Sequence, residues 1–135
     1  TEDFELVLDV AHNVESVSQL VQFLTDHPVS GKTAAVFGVM GDKPIHDMLA
    51  LCESAFDEWH LIDLCHVSRA MSTDRLTEFL KPMGAPIHQG AFADLWQSLM
   101  TRVTTGDRVV VFGSFFSVGE ATPYLAAHYH DGEQN

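Results

Sequence analysis

The sequence lacks the features of several common protein classes. It contains no run of 18 uninterrupted apolar residues, so no transmembrane helix is expected. It has only 7 Lys and Arg residues against 19 Asp and Glu residues, which gives a formal net charge of −12. This shortage of positive charge argues against nucleic acid and anionic membranes as partners. An anionic small molecule would have to be held by local positive groups, because the overall field repels it.

The marks of a secreted protein are also missing. The acidic start, Thr1 to Asp3, has neither the basic nor the apolar segment of a signal peptide. There is no initiator Met, so we expect the chain to be a piece of a longer protein. The two cysteines, Cys52 and Cys65, lie in apolar surroundings without metal-ligand spacing. We interpret them as free thiols of a protein in a reducing cytoplasm.

Patterns typical of metal, nucleotide and hydrolase sites are absent as well. No pair of histidines has ligand spacing on one helix face, and we therefore predict no metal site within this chain. The scattered histidines are His46, His60, His66 and His88. No G-x-G-x-x-G is present, and residues 30–33 resemble only the end of a phosphate-binding loop, with Asp26 where Gly is required and a strand predicted next. Residues 112–115 lack the second Gly of the G-x-S-x-G pattern of serine hydrolases.

What the sequence does contain is a regular alternation of strand and helix patterns. Its 135 residues, 46% of them hydrophobic, have the size and composition of one globular domain. Strands are predicted at 4–10, 33–39, 59–64, 87–88 and 108–112, and helices at 14–24, 45–56, 73–80, 92–103 and 118–128. Ser72 is predicted to cap one helix, and Ser117 with Glu120 to form a capping box at the start of the last. The alternation predicts an α/β domain of three layers, with helices on both faces of a mostly parallel sheet.

Three loops that follow predicted strands carry polar side chains. They hold Asp9, His12 and Asn13, then Asp42 and Lys43, and finally Ser114. Parallel strands end at the same edge of a sheet, and open α/β sheets bind ligands there. Helix N-termini at this edge favour anions, and His12 adds a side chain that can be protonated near neutral pH. The alternative is purely structural, with Asn13 as a helix cap, Asp42 as a turn residue and Ser114 as a loop hydroxyl.

Four motifs, in order along the chain, resemble one enzyme family. They are LDVAHN at 8–13, FGVMGDK at 37–43, DEW at 57–59 with SRA at 68–70, and VFGSFFSV at 111–118. Together they are similar to the C-terminal domain of the bacterial folylpolyglutamate synthase/dihydrofolate synthase family, which belongs to the Mur ligase superfamily. The resemblance covers nearly all of residues 1–135 and implies a Rossmann-like three-layer α/β/α domain of the Mur ligase C-terminal type.

The resemblance implies that the chain is part of an ATP-dependent amide ligase. Such an enzyme phosphorylates a carboxylate of dihydropteroate or a folate, and the amine of L-glutamate then attacks the acyl phosphate. ATP and Mg²⁺ would be bound mainly by an N-terminal domain that this sequence does not contain, so the isolated chain is expected to be inactive. The C-terminal domain would close over the shared cleft as a rigid body.

The same resemblance implies roles for individual residues. Asp9 and His12 match catalytic positions, where Asp9 reaches toward the nucleotide and supports closure. The glutamate positions are His12, Arg69 and Ser114, and the ATP positions are Asp9, Asn13, Asp42 and Lys43. Glutamate brings two carboxylates, for which a histidine, a hydroxyl and helix N-termini are suitable partners in an otherwise acidic domain.

The chain departs from the family pattern at three positions. Val14 stands in place of the usual Pro, Pro44 in place of an Asp and Phe116 in place of a His, so the roles of the lost carboxylate and imidazole are open.

Two other interpretations remain. One is a stand-alone α/β module that binds a small ligand or regulates, such as a flavodoxin-like domain, although no flavin loop is evident. The other is the C-terminal domain of a Mur-type ligase of cell-wall synthesis. The residues of the first and last motifs favour the folate branch over this interpretation.

Overall fold

One parallel sheet of five strands organises the fold. The computed structural model describes residues 4–64 and 66–124. The strands are β1 (Glu5–Leu8), β2 (Thr33–Phe37), β3 (Glu58–Ile62), β4 (Ile87–Gly90) and β5 (Arg108–Phe112). Their order across the sheet is β1-β5-β2-β3-β4, and every neighbouring pair is parallel. The prediction of a mostly parallel sheet is confirmed.

Helices cover both faces of this sheet. They are α1 (Val14–Asp26), α2 (Ile45–Ala50), α3 (Thr73–Leu80), α4 (Phe92–Met100) and α5 (Phe115–Ala121), with short 3-10 turns at Lys81–Met83 and Thr122–Tyr124. Two separate apolar clusters result, one between the sheet and α1 to α3 and one between the sheet and α4 with α5. The predicted three-layer α/β/α architecture is confirmed. Within the described residues, no helix combines the length and the apolar character that a membrane crossing needs.

Alternation along the central strands explains why the chain builds two cores. In β2, Ala35 and Phe37 point to the α1–α3 side, while Ala34 and Val36 point to the α4–α5 side. Every residue of β2 and of β5 is buried. Parallel strands covered on both faces need such continuous apolar runs, which is the pattern that the sequence shows.

A buried arginine fixes the far end of α1. Arg108, 2% exposed, donates from Nε to Glu5 Oε1 over 2.9 Å and from Nη1 and Nη2 to the carbonyls of Leu24 and His27. These carbonyls lie at the end of α1, which has no basic residue in its last turn. The guanidinium therefore satisfies helix carbonyls that have no partner inside the helix, and it complements the helix dipole.

The predicted start of the last helix is wrong. The N-cap of α5 is Ser114, whose Oγ accepts a hydrogen bond from Ser117 N over 3.0 Å, so the box of Ser117 and Glu120 does not form. The helix begins three residues earlier because Gly113 turns the chain directly after β5. Ser72 caps α3 as predicted. The predicted end near 128 lies outside the described residues.

The first three strands are shorter than predicted, because apolar residues continue into buried loops. Ala11, Val39 and Leu64 lie beyond the ends of β1, β2 and β3 and are each no more than 2% exposed. Their burial reflects the packing of loops against the sheet and not strand pairing. Cys52 is a free, buried thiol, as predicted, and Cys65 lies outside the described residues.

Two of the histidines interpreted as scattered are neighbours. His60 of β3 and His88 of β4 are partners in the parallel register, and their rings stack with centroids 4.8 Å apart. Sequence spacing does not reveal such a pair, because α3 and its flanking turns separate the two strands. His60 and His88 are therefore not scattered but adjacent in the fold.

Candidate functional site

Four loops lie side by side where β1, β5, β2 and β3 end, and we call this boundary the carboxyl edge. The strand order places the loop after β1 next to Gly113 and Ser114, followed by the loop after β2 and the loop after β3. Adjacent strands are about 4.8 Å apart, so the four loops span about 15 Å. All the residues predicted for the site are in these loops or directly beside them.

The loop after β1 holds its polar groups with short local hydrogen bonds. Asp9 Oδ1 accepts from Ala11 N over 2.9 Å, and Asp9 N donates to Val111 O over 3.0 Å. His12 Nδ1 lies 2.7 Å from Val10 O. A carbonyl can only accept, so Nδ1 carries a proton and donates it to Val10 O. The half-buried His12 therefore presents Nε2 as the ring atom free to bind a ligand.

Asn13 is engaged as a helix cap. Its Oδ1 accepts from Ser16 N and from Ser16 Oγ, both over 2.8 Å, and Ser16 Oγ accepts in turn from Asn13 N over 3.2 Å. This reciprocal pattern fixes the first turn of α1. The structural alternative for Asn13 is thus realised, and any contribution to a ligand comes through the position of the α1 N-terminus.

Ser114 is buried in a hydroxyl network. Its Oγ accepts from Ser117 N and lies 3.0 Å from Ser117 Oγ, which donates to Gly38 O over 2.6 Å. Because the proton of Ser117 is used on Gly38, Ser114 donates its own proton to Ser117. At 4% exposure, Ser114 reaches no solvent-facing ligand with this hydroxyl as it stands and instead joins the loops after β5 and β2.

Gly113 permits the close approach of these two loops. Its φ is +113°, and a Cβ at this position would overlap the carbonyl oxygen of Gly38 and lie 2.8 Å from Phe37 Cε1. A side chain is therefore excluded both by the backbone conformation and by the space. The glycine in the GSF motif is required by the geometry of the edge.

The loops after β2 and β3 are joined by their backbones. Gly41 N donates to Arg69 O over 2.6 Å, and Met40 pairs with Ala70 in an isolated antiparallel bridge. Arg69 is exposed at this junction, directly beside the loop that carries Asp42 and Lys43. The junction brings together two cationic side chains that are 26 positions apart in the sequence.

An apolar rim at the same edge was missed by the analysis of polar residues. Phe115 is 71% exposed, Phe116 46% and Val14 39%, and all three begin a helix at the carboxyl edge. The ring of Phe115 lies 6.1 Å from that of His12. Two consecutive aromatic residues directly after a cap cannot both face the core, and this pattern in the sequence is the signal that could have revealed the rim.

A larger cleft than the pocket beside Asp9 lies elsewhere. It has a volume of about 660 Å³ and lies where the central strands begin, lined among others by Lys32, Glu58 and Arg102. A pocket of about 300 Å³ lies beside Asp9 and Ser16 at the carboxyl edge. Chemically, the carboxyl edge can bind an anion through His12, Lys43 and Arg69.

Known proteins match this chain in sequence and in fold. A family model described as the glutamate ligase domain of Mur ligases matches residues 1–115. A dihydrofolate synthase/folylpolyglutamate synthase of Buchnera aphidicola subsp. Schizaphis graminum is 30% identical over 115 residues, which are 85% of this chain and 27% of that protein. The chain also superposes on Escherichia coli FolC in complex with ADP, with a TM-score of 0.82 and 28% identity over 94% of this chain and 30% of that one.

A further solved structure adds ligands to the comparison. It is a bifunctional folylpolyglutamate synthase/dihydrofolate synthase with Mn, AMPPNP and L-glutamate bound, with a TM-score of 0.81 and 34% identity over 93% of this chain and 30% of that one. The chain therefore spans less than one third of the length of each of these relatives.

Proposed function

The chain belongs to the Mur ligase family, whose glutamate ligase domain it matches, and from this premise we propose that it is the C-terminal domain of an ATP-dependent ligase that adds L-glutamate to dihydropteroate or a folate. The match over residues 1–115 is the observation that carries the proposal. The named relatives are dihydrofolate synthase/folylpolyglutamate synthases, and one such structure contains L-glutamate. The full-length enzyme would work in the cytoplasm, with which the free thiol of Cys52 is compatible.

The proposed reaction forms an amide through an acyl phosphate. ATP transfers its γ-phosphoryl group to a carboxylate of the pterin substrate, the glutamate amine attacks the acyl carbon, and phosphate leaves. No protein nucleophile is required, so the chain's residues would contribute by binding, orienting and stabilising charge. This suits an edge that carries cationic side chains and helix N-termini.

Individual roles at the carboxyl edge follow from what each side chain has free. In its doubly protonated form His12 would donate from Nε2, and Arg69 presents an exposed guanidinium, so we assign these two to the carboxylates of glutamate. Lys43 and the exposed Asp42 would lie on the ATP side, and Asp9 would take part in closure and nucleotide contact. Asn13 and Ser114 would act by positioning, because their side-chain oxygens are used within the fold.

The edge offers side chains that suit part of an ATP site, and we expect the ligands of Mg²⁺ to come mainly from outside it. Among the described residues, the one group of three side chains with converging metal-ligand atoms lies on β3 and β4, away from this edge. Lys43 is suitable for phosphate oxygens. We therefore propose that the N-terminal domain holds Mg²⁺ and most of ATP, and that this chain completes the site.

The apolar rim of Val14, Phe115 and Phe116 supports such a shared site. Exposed apolar side chains beside functional groups are typical of surfaces that another protein surface covers. We propose that the enzyme's own N-terminal domain covers this rim when the two domains close. Closure would also remove water from the acyl phosphate and so limit its hydrolysis.

The experiment uses the full-length enzyme that contains this chain. His12→Ala should raise the KM for glutamate or lower kcat by about tenfold, a loss of about 1.4 kcal/mol of binding or transition-state stabilisation. His27→Ala is the matched control, because His27 also bonds a local carbonyl through Nδ1 but lies at the opposite end of α1. Steady-state kinetics with glutamate as the varied substrate would measure both. Unchanged kinetics for His12→Ala would remove this residue from the site.

The isolated chain provides a second test. It should release no ADP from ATP in the presence of dihydropteroate and glutamate, because the proposed phosphate site is on another domain. If the purified chain released ADP, and repeated purification did not remove this activity, the proposed division of the site between two domains would be contradicted.

A further inference from the structure

A second group of polar side chains lies outside the carboxyl edge, on the α4 side of the sheet. We call Glu58, His60 and His88 the histidine cluster. One ligand atom from each of the three lies within 4.8 Å of the others. His60 and His88 face each other across β3 and β4, and His60 Nε2 is 3.4 Å from Glu58 Oε1. The ligase reaction proposed above uses none of these residues.

We propose that the histidine cluster binds a divalent transition-metal ion of the zinc type. Two imidazoles and one carboxylate are ligands that Zn²⁺ and Co²⁺ take in proteins, while Mg²⁺ and Ca²⁺ prefer oxygen ligands throughout. Three protein ligands leave one position of a tetrahedral ion for water.

The unsatisfied state of His60 is the second, independent observation. This side chain is 1% exposed, yet neither of its ring nitrogens has a hydrogen-bond partner among the described residues. The contact with Glu58 is long and lacks the geometry of a hydrogen bond. Buried polar atoms are nearly always paired, and an unpaired one costs about 1 to 3 kcal/mol. A metal ion would satisfy one nitrogen directly.

The distances require a small rearrangement of the exposed partner. Zn–N bonds of about 2.0–2.1 Å in a tetrahedral site place ligand atoms about 3.4 Å apart. The separation of His60 Nε2 and Glu58 Oε1 already has this value, at 3.4 Å. The rings of His60 and His88 are nearly parallel, at 14°, so their lone pairs do not yet converge. His88 is exposed, and its ring can tilt out of the stack to complete the site.

Arg102 is the group that opposes the metal. Its Nη1 lies 3.2 Å from Glu58 Oε1, so it neutralises the carboxylate that the metal needs. The side chain of Arg102 is 45% exposed and can move into solvent. Glu58 and Arg102 both line the cleft of about 660 Å³, which gives an ion a path from solvent to the carboxylate. Arg102 should thus lower the affinity without blocking the site.

Metal titration of the chain tests this proposal. We expect one equivalent of Zn²⁺ to bind by calorimetry and Co²⁺ to give the intense visible absorption of a low-coordinate ion, while Mg²⁺ gives no signal. His88→Gln, at an exposed position that leaves the core intact, should weaken Zn²⁺ binding by about tenfold or more. Arg102→Gln should strengthen binding, because the competing cation is gone.

The matched control is His66→Gln. His66 Nε2 also lies beside a carboxylate, 3.3 Å from Glu120 Oε2, but no third ligand atom joins them among the described residues. This variant should bind Zn²⁺ like the unaltered chain. Absence of Zn²⁺ binding, or an equal loss in His66→Gln and His88→Gln, would overturn the proposal. Neither result would bear on the ligase function, because the cluster lies outside the carboxyl edge.

Discussion

Among the described residues, polar side chains of the carboxyl edge are hydrogen-bonded within the fold, whereas His60 of the histidine cluster is not. At the carboxyl edge, Asn13 and Ser114 each bond a serine three residues further along the chain. In the histidine cluster, His60 is as deeply buried as the core, and neither ring nitrogen has a hydrogen-bond partner in the described part of the chain. The first region is satisfied by local capping, while the second brings together residues from two strands and is incomplete.

The two regions differ in which of their groups remain free to bind a ligand. A satisfied edge is rigid, so it can position the free Nε2 of His12 and the helix N-termini without further change. A buried imidazole without partners costs stability in the folded chain, and such a cost is typical of a group that acts on a ligand. Measurements of stability on three sets of variants test this difference.

The largest effect is expected at the carboxyl edge. Gly113→Ala should lower the free energy of unfolding by about 4 kcal/mol, because a Cβ would overlap Gly38 O at a φ of +113°. Urea unfolding would measure it. Gly119→Ala is the control, since a Cβ in α5 would meet nothing within 4 Å, and alanine should stabilise this helix by up to about 1 kcal/mol. Equal costs for both variants would show that the edge is not tightly built.

The next effect tests the histidine cluster through pH. The pKa of His60 is about 4 in the folded chain and about 6.5 when unfolded, because burial disfavours the charged ring. The unfolded chain therefore binds the proton first, and this contribution to stability is present above pH 6.5 and lost as the pH falls toward 4. Between pH 7 and pH 5, the chain should lose about 2 kcal/mol more stability than His60→Leu does.

Urea unfolding at the two pH values would measure this difference. His46→Gln is the control, because the side chain of His46 is 79% exposed and its removal should leave the difference unchanged. If His60→Leu and the unaltered chain lost the same stability, the ring of His60 would not be the buried, neutral group described above.

The smallest effect compares two caps. Ser114→Ala should cost about 1.5 kcal/mol, because it removes the cap of α5 and also leaves the buried Ser117 hydroxyl without a donor. Ser72→Ala, at the exposed cap of α3, should cost about 0.7 kcal/mol, since water replaces the lost bond. Thermal unfolding would rank the two. A larger cost at Ser72 would mean that the hydroxyl network contributes nothing beyond capping.

The sequence predicted some features of the carboxyl edge and missed others. The motif at residues 8–13 is contiguous, so its strand, turn and cap could be recognised from spacing alone. The cap of α5 was misplaced because Ser114 and Ser117 both have the chemistry of an N-cap, and only the turn at Gly113 decides between them. The apolar rim was not predicted, because an exposed Phe cannot be distinguished from a core Phe in the sequence.

By itself, the sequence determined the alternation of strands and helices, the parallel sheet buried on both faces, and the polar loops that belong together at one edge. These features depend on interactions between residues close in the chain, namely apolar periodicity, capping and turns. The strand order and register, the joining of Gly41 to Arg69 and the pairing of His60 with His88 were decided only by the tertiary structure. They join segments that are far apart in the chain, and such contacts form only when both segments pack against the same core, which no local pattern records.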